Sequence, residues 1–269
     1  MARTRRRTGG SGGQIALIVI LSFVICAAVV GIGAFYFIAQ RNYVPLDADT
    51  LCPKAGITSQ TVVLLDTTDP LADVTKQEVL SRLGDASGGV PKGGLLQVWV
   101  LAADPAATKP ALSLCNPGNG QDIDPVIGNP TLAKKRWSDK FEGPVEAAMN
   151  ASVAGTEQHF SPILAGIQKI AAERLSSAAL QQVPTTIIVV SDLLENTPYY
   201  SHFKDGLDFA TFEAKAGARY LTQLHGAAVD FWMVQRARKD IDATALATFW
   251  LKWVDASGGK GQVERLMGM

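Results

Sequence analysis

The chain has 269 residues, a hydrophobic fraction of 47% and no net charge, since 25 basic residues balance 25 acidic ones. This length suits one α/β domain with an additional segment, because domains usually contain about 100–200 residues. The charge balance argues against a nucleic-acid-binding protein, which normally has a basic excess.

The N-terminal segment combines basic residues with a long apolar run. Residues 1 to 14 begin with an arginine-rich tail, and residues 15 to 39 contain no charged side chain. About 20 apolar residues suffice to cross a bilayer as a helix. A secretory signal peptide is the rival interpretation, but its apolar region usually spans only about 7–15 residues. We therefore predict an uncleaved single-pass anchor in the inner membrane, with a cytoplasmic N terminus and a periplasmic or otherwise extracytoplasmic C-terminal domain.

Beyond a predicted linker at residues 40 to 60, apolar strands alternate with helices. The predicted strands are apolar runs at 61–66, 95–104, 111–115, 185–192 and 227–236. The predicted helices lie at 73–86, 131–153 (broken or restarted at Gly143 and Pro144), 161–180 (capped by Ser161), 208–226 and 242–259. Such alternation is typical of a mostly parallel sheet with helices on both faces. The predicted fold class is therefore α/β and doubly wound, over residues 61 to 269.

Oxygen-bearing side chains collect where these strands end. They come from three places: the first strand's end (Asp66, Thr67, Thr68, Asp69), a helix start (Ser161) and the end of the strand at 185–192 (Ser191, Asp192). Ligands of parallel sheets bind beyond the carboxyl ends of the strands, and carboxylates and hydroxyls suit magnesium or manganese. The alternative interpretation is a turn and helix cap, which Asp and Thr commonly form at such positions.

The order of these motifs carries a family resemblance. A strand followed by DxTxP, a Ser-Pro before an apolar helix and a strand ending in Ser-Asp together resemble the von Willebrand factor type A domain. The resemblance implies a metal-ion-dependent adhesion site, with magnesium or manganese held by Asp66, Thr68, Ser161, Asp192 and, as an extra group, Asp69. Pro70 stands where the family's motif has its second serine, and it offers no side-chain ligand. A protein partner's carboxylate would complete the coordination.

Two further features concern the partner and the redox state. Tyr199, Tyr200 and Phe203 are candidates for a partner contact, because aromatic residues are enriched at interfaces. Ordinary packing is the alternative for these rings. Cys52 and Cys115 lie in the part that we predict to be exported, and they form either a disulfide or two separate thiols.

These features predict a membrane-anchored protein-binding module, part of an envelope complex, and not an enzyme. One alternative is a membrane-tethered, metal-dependent phosphoesterase that uses Asp66 as nucleophile or ligand. That chemistry favours a second carboxylate two residues later, where this chain has Thr68. The other alternative is a structural subunit with an empty site. The sequence contains neither a GxxxxGK[ST] phosphate loop nor a GxSxG nucleophile elbow.

Overall fold

The computed structural model describes residues 11–41, 44–125, 128–155, 158–235 and 241–266. Residues 1 to 10, which form most of the predicted basic tail, lie outside the described residues. The chain divides into two units, Met1–Val44 and Pro45–Met269. In the first unit, helix α1 (Ser11–Arg41) exposes its large apolar side chains between Ile15 and Phe37. Its section Ile15–Phe37 is long and apolar enough to cross a membrane, a property that signal sequences share.

The second unit is built on one sheet of six strands. They are β1 (Gln60–Asp66), β2 (Leu95–Leu101), β3 (Lys109–Cys115), β4 (Thr185–Ser191), β5 (Ala228–Val234) and β6 (Lys260–Leu266). Their order is β3-β2-β1-β4-β5-β6, and of the described strands only β3 runs antiparallel to its neighbour. The strand order reverses at β1, which places a crevice at the carboxyl ends of β1 and β4. The predicted fold class, a doubly wound and mostly parallel sheet, is confirmed.

Helices cover both faces of this sheet. They are α2 (Asp73–Gly88), α3 (Pro130–Trp137), α4 (Gly143–Ser152), α5 (Ile163–Arg174), α6 (Ala178–Gln181), α7 (His202–Asp205), α8 (Phe209–Phe212), α9 (Ala218–Tyr220) and α10 (Ala243–Ala256), with π-helical turns at Ser138–Glu142 and Glu213–Gly217 and a 3-10 turn at Pro105–Ala107. One buried cluster joins α5, α8 and α10 to the sheet, and a second joins α2 and α4. In β1, Val62 and Leu64 belong to the first cluster and Val63 and Leu65 to the second, as the two-residue period of a strand requires.

The helix predicted at 161–180 is shorter than expected. It begins at Ile163 and ends at Arg174, and the prediction that Ser161 caps it is wrong. The Ser161 hydroxyl donates to the Asp66 carboxylate at 2.9 Å instead, and Pro162 occupies the position before the first turn without a capping hydrogen bond. The Ser161 side chain therefore makes a tertiary contact with Asp66 in place of the predicted helix cap.

Two other predicted helices also need correction, and one strand is new. The helix predicted at 208–226 ends at Tyr220, because Leu221 adopts an extended backbone. The helix predicted at 131–153 consists of α3, a π-helical turn and α4, and α4 begins at Gly143, where the sequence predicted a break or restart. Pro144 is tolerated there because the first turn of a helix needs no N–H donor from it. The sequence predicted no strand at β6, whose residues are largely polar and exposed.

The predicted linker, residues 40 to 60, is wrong from Pro45 onwards. From that point the chain belongs to the second unit. Cys52 and Cys115 form a disulfide, and the Cys115 N–H donates to the Thr50 carbonyl at 2.8 Å. Because Cys115 is the last residue of β3, this segment lies against the end of that strand.

Candidate functional site

The Asp66 carboxylate receives hydrogen bonds from three separate segments at the carboxyl edge of the sheet. Its Oδ1 accepts from the Thr68 backbone N–H at 3.1 Å and from the Thr68 hydroxyl at 2.6 Å. Its Oδ2 accepts from the Ser161 hydroxyl at 2.9 Å and from the Ser191 hydroxyl at 2.6 Å. One half-buried carboxylate thus gathers three hydroxyl groups around it.

The fold explains why these residues meet. Ser191 ends β4, which pairs directly with β1, so both strands deliver their last side chains to the same edge. Ser161 is held by an antiparallel bridge with Asn196, in which the backbone groups of the two residues exchange hydrogen bonds of 3.0 and 3.1 Å. Thr68 lies two residues after Asp66, and its backbone N–H donates to the Asp66 side chain. This is the local turn that aspartate side chains commonly form.

Ser191 is the residue that the motif comparison missed. The resemblance assigned the ligand role at this strand end to Asp192, the next residue along the chain. β4 ends at Ser191, and Asp192 lies in the loop that follows it. The hydroxyl that contacts Asp66 belongs to Ser191. The signal was present in the sequence as an oxygen-bearing residue directly after the apolar run from Ile187 to Val190.

Asp192 and Asp69 have different surroundings. The Asp192 Oδ1 accepts the Leu194 N–H at 3.0 Å. Asp192 also lines a cavity of about 240 Å³ between the ends of β4 and β5 and the start of α10. Asp69 is partly buried in the loop after β1, and its backbone carbonyl faces Gly155. The predicted ligand roles of both residues remain predictions.

A buried glutamate lies behind the site. Glu195 is fully buried, and its Oε2 accepts the Leu164 N–H at the start of α5 at 2.9 Å. Its Oε1 has no hydrogen-bond partner among the described residues. Burial raises the pKa of this carboxyl well above its usual value, and the negative charge of Asp66 raises the pKa further. Glu195 therefore favours its neutral form.

A buried histidine contacts the same glutamate through the backbone. The His202 Nδ1 accepts the Glu195 N–H at 3.1 Å, which assigns the ring proton to Nε2 in the neutral imidazole. Burial lowers the pKa of His202 to about 4, although the Leu193 carbonyl and Asp205 act in the opposite direction. The ring packs edge-to-face against Phe249, with centroids 4.5 Å apart. His202 is thus an uncharged member of the core.

The aromatic residues predicted as a partner contact divide into two groups. Tyr199 is 54% exposed and Phe203 is 43% exposed. Tyr200 is fully buried, so its prediction as a contact residue is wrong: its ring packs against Phe212 and its hydroxyl donates to the Gly206 carbonyl at 2.9 Å. The three aromatic residues are close together in the sequence, but the backbone turn directs the Tyr200 ring into the core.

Arg219 and Phe160 belong to the same surface as the exposed ring of Tyr199. The Arg219 guanidinium lies 3.6 Å from the centroid of the Tyr199 ring, a cation–π contact that holds the ring in place. Phe160, directly before Ser161, is 42% exposed. Its segment is joined to the loop after β4 by the Ser161–Asn196 bridge and by the Asn196 amide, which donates to the His159 carbonyl.

The donor set around Asp66 suits a hard cation by chemistry. Among the described residues, no three Asp, Glu, His or Cys side chains come together in a cluster that could hold a metal ion. The Asp66 site offers one carboxylate and three hydroxyl oxygens instead. Magnesium accepts such oxygens and usually keeps several waters. The residues present therefore fit a weakly held magnesium or manganese ion with open positions.

Comparisons with known proteins bear on the fold. No protein-family model and no curated protein matches the chain. The VWA domain of SpRpn10 aligns at 10% identity with a TM-score of 0.40, over 79% of this chain and 91% of that one. The conserved hypothetical protein BatB from Bacteroides thetaiotaomicron aligns at 13% identity with a TM-score of 0.39, over 77% and 91%. A von Willebrand factor type A structure from Catenulispora acidiphila aligns at 12% identity with a TM-score of 0.41, over 78% of this chain and 39% of that one.

At these identities the similarity concerns the fold alone. The doubly wound sheet carries Asp66 at the end of its central strand, where the sequence motif placed it. This arrangement agrees with the fold that the motif resemblance implied. Of the ligand positions that the resemblance predicted, Thr68 and Ser161 each lie within hydrogen-bonding distance of the Asp66 carboxylate.

Proposed function

We propose that this protein is a membrane-anchored, extracytoplasmic binding module whose von Willebrand A-like domain captures a protein partner through a divalent cation. The observation that carries the proposal is the convergence of three hydroxyl groups on the Asp66 carboxylate at the crevice of the sheet. Asp66, Thr68, Ser161 and Ser191 would hold the ion, with Asp192 and Asp69 close by in sequence as additional candidates. A carboxylate of the partner would take an open position.

The surface around the site supports a protein partner. Phe160 and Tyr199 are exposed on the two bridged loops that carry Ser161 and Asn196, and Phe203 is exposed on α7, which follows the second loop. Aromatic residues supply much of the binding energy of protein interfaces when a partner covers them. A photo-crosslinking amino acid at Tyr199 should yield a cross-linked partner in cells, and the Asp66→Asn variant should lose the adduct.

Cation binding is tested by thermal unfolding of the unit from Pro45 onwards after chelation. Adding magnesium or manganese should raise the midpoint, because a ligand that binds only the folded state stabilises it by about 2.7 kcal/mol at one hundred times its Kd. Asp66→Asn should abolish the rise and keep the fold, since hydroxyls both donate and accept hydrogen bonds. Asp85→Asn, at an exposed carboxylate on α2, is the matched control.

The same titration separates this proposal from its alternatives. A rise of equal size in Asp66→Asn would place the ion elsewhere. If neither magnesium nor manganese raises the midpoint of the parent, the Asp66 cluster is a turn and a set of structural hydrogen bonds. The domain would then be a structural subunit.

Two features support the extracytoplasmic placement. The disulfide between Cys52 and Cys115 suits an oxidising compartment, because cytosolic thiols are kept reduced. The arginine-rich start of the chain precedes the apolar section Ile15–Phe37, and such charges favour the cytoplasmic side. The second unit would then lie on the opposite side of the membrane.

The anchor is tested on the mature protein. The full chain should stay in the membrane pellet after alkaline carbonate extraction, because its apolar helix remains in the bilayer. Its intact mass should include Ile15–Phe37. A mature chain that begins after this helix would show a cleaved signal sequence and would contradict the anchor. Protease added from outside the cytoplasmic membrane should degrade the second unit. A second unit that stays intact would contradict the proposed orientation.

A further inference from the structure

The two edges of the sheet differ in how they are protected. At the β3 edge, the chain around Thr50 lies against the end of the strand, through the Cys52–Cys115 disulfide and the hydrogen bond from the Cys115 N–H to the Thr50 carbonyl. At the other edge, β6 pairs with β5 on one side, and no described strand pairs with its outer side. Five of the seven β6 residues are exposed. An edge of this kind is a template for another strand.

The outward backbone groups of β6 follow from its pairing with β5. The Lys260 N–H donates to the Ala227 carbonyl at 2.9 Å, so the backbone groups of Lys260 face β5. In a parallel ladder, every second residue faces the same neighbour. The N–H and C=O groups of Gly261, Val263 and Arg265 therefore face outward, where a further strand would meet them.

On one face of β6, a positive and a negative side chain lie at equal distances on either side of Gln262. Lys260, Gln262 and Glu264 share one face of the sheet, because they alternate along the strand. This is the α2 face, where Glu264 accepts from Arg82 at 2.6 Å. The positive and the negative residue lie two positions before and two positions after Gln262. The edge is therefore complementary to an antiparallel copy of itself, centred on Gln262.

We propose that β6 is a self-association edge, at which a second copy of this chain adds its own β6 in antiparallel orientation around a two-fold axis at Gln262. Lys260 of each copy lies opposite Glu264 of the other, forming two ion pairs. Gly261 and Val263 form the hydrogen-bonded pairs on either side of the axis. The two sheets then continue into one sheet of twelve strands, and the exposed edge is removed.

Charge selects this register over its neighbours. A two-fold axis at Val263 is equally compatible with the outward backbone groups, but it places Gly261 opposite Arg265 and leaves Lys260 without Glu264. An axis at Glu264 sets two like charges opposite each other, which is destabilising. An edge that carries charge of one sign resists pairing. Here both signs occur at symmetric positions, so a second copy sets Lys260 opposite Glu264, a carboxylate that Arg82 of its own chain also contacts.

The register is tested by cysteine cross-linking of the full chain in membranes, in a Cys26→Ser background. Gln262→Cys should give a disulfide-linked dimer under mild oxidation, because a non-hydrogen-bonded antiparallel pair sets its Cα atoms about 4.5 Å apart, within disulfide reach. Val263→Cys is the matched control, since Val263 lies opposite Gly261 and should give severalfold less dimer. No dimer from Gln262→Cys, or equal yields from both variants, would overturn the proposal.

The ion pairs are tested by charge reversal in the Gln262→Cys chain. Lys260→Glu alone and Glu264→Lys alone should each reduce the dimer yield severalfold, because like charges then face each other twice. Co-expression of the two variants should restore a mixed dimer, in which both pairs are again opposite in sign. Recovery in the mixture shows that both variants fold. Yields that do not respond to charge, or no recovery on mixing, would overturn the assignment of this edge.

Discussion

The Asp66 carboxylate takes part in a local turn and also contacts distant segments, and its role as a metal ligand stays a prediction. Its Oδ1 closes a turn with Thr68, and its Oδ2 accepts from Ser161 and Ser191, which come from distant parts of the chain. A turn needs only the first of these contacts. The oxygen-rich end of β1 is therefore a local turn on one side of the carboxylate and a tertiary site on the other.

At the same scale, His202 predicts an acid sensitivity of the fold. Its pKa is lowered to about 4 by burial, against about 6.5 in an unfolded chain. Because the unfolded chain takes up this proton below about pH 6.5 and the folded state does so only near pH 4, the folded state loses stability progressively between these two values. We expect the free energy of unfolding to drop by about 3 kcal/mol over this range from His202 alone. Urea unfolding at a series of pH values measures the drop.

The matched variants assign that drop to one side chain. His202→Gln removes the titrating ring and should flatten the pH dependence between 6.5 and 4, in addition to a constant loss of packing. His159→Gln, at an exposed histidine, should keep the slope of the parent. An unchanged slope in His202→Gln would mean that other groups cause the acid sensitivity.

At the scale of elements, the loop after β1 depends on a glycine that no motif indicated. A Cβ atom at Gly155 would lie 2.8 Å from the Asp69 carbonyl oxygen and 2.9 Å from the Thr67 carbonyl oxygen. Both atoms belong to the backbone of the loop that follows Asp66. The Gln158 N–H also donates to the Thr68 carbonyl at 2.8 Å, so this segment packs closely on the site.

Gly155→Ala should therefore displace the loop that carries Thr68. We expect a loss of about 1–3 kcal/mol in the free energy of unfolding, the usual cost of overpacking, together with weaker cation binding. Gly84→Ala is the control, because a Cβ there meets no atom within 4 Å and a glycine-to-alanine change inside a helix stabilises it by about 0.5–1 kcal/mol. Urea unfolding of both variants gives the comparison, and a Gly155→Ala protein as stable as the parent would contradict the account.

Over the whole molecule, the Cys52–Cys115 disulfide ties the start of the second unit to the β3 edge. The two cysteines are 63 positions apart in the chain. A cross-link over a loop of this length restricts the unfolded chain, and its removal typically costs 2–5 kcal/mol. The double variant Cys52→Ser, Cys115→Ser should lose about this much free energy of unfolding in urea. Chemical reduction of the parent should produce the same loss, while Cys26→Ser should leave stability unchanged.

The sequence alone determined the features that depend on local patterns. Apolar runs and helical spacing predicted the alternation of strands and helices, because burial requires those periods whatever the connections are. The long apolar helix within residues 15 to 39 could likewise be predicted from its composition and length. The order of oxygen-bearing strand ends led to Asp66, Thr68 and Ser161, since the carboxyl ends of parallel strands meet at one edge.

The tertiary structure decided which atoms face each other. It chose Ser191 as the residue that contacts Asp66, because side-chain direction depends on where the strand begins within the sheet. It turned Tyr200 into the core and left Tyr199 exposed. It also formed β6, whose polar residues carry no apolar signal and become a strand only because β5 offers a free edge to pair with. Contacts between distant segments set these outcomes, and no local pattern of residues encodes them.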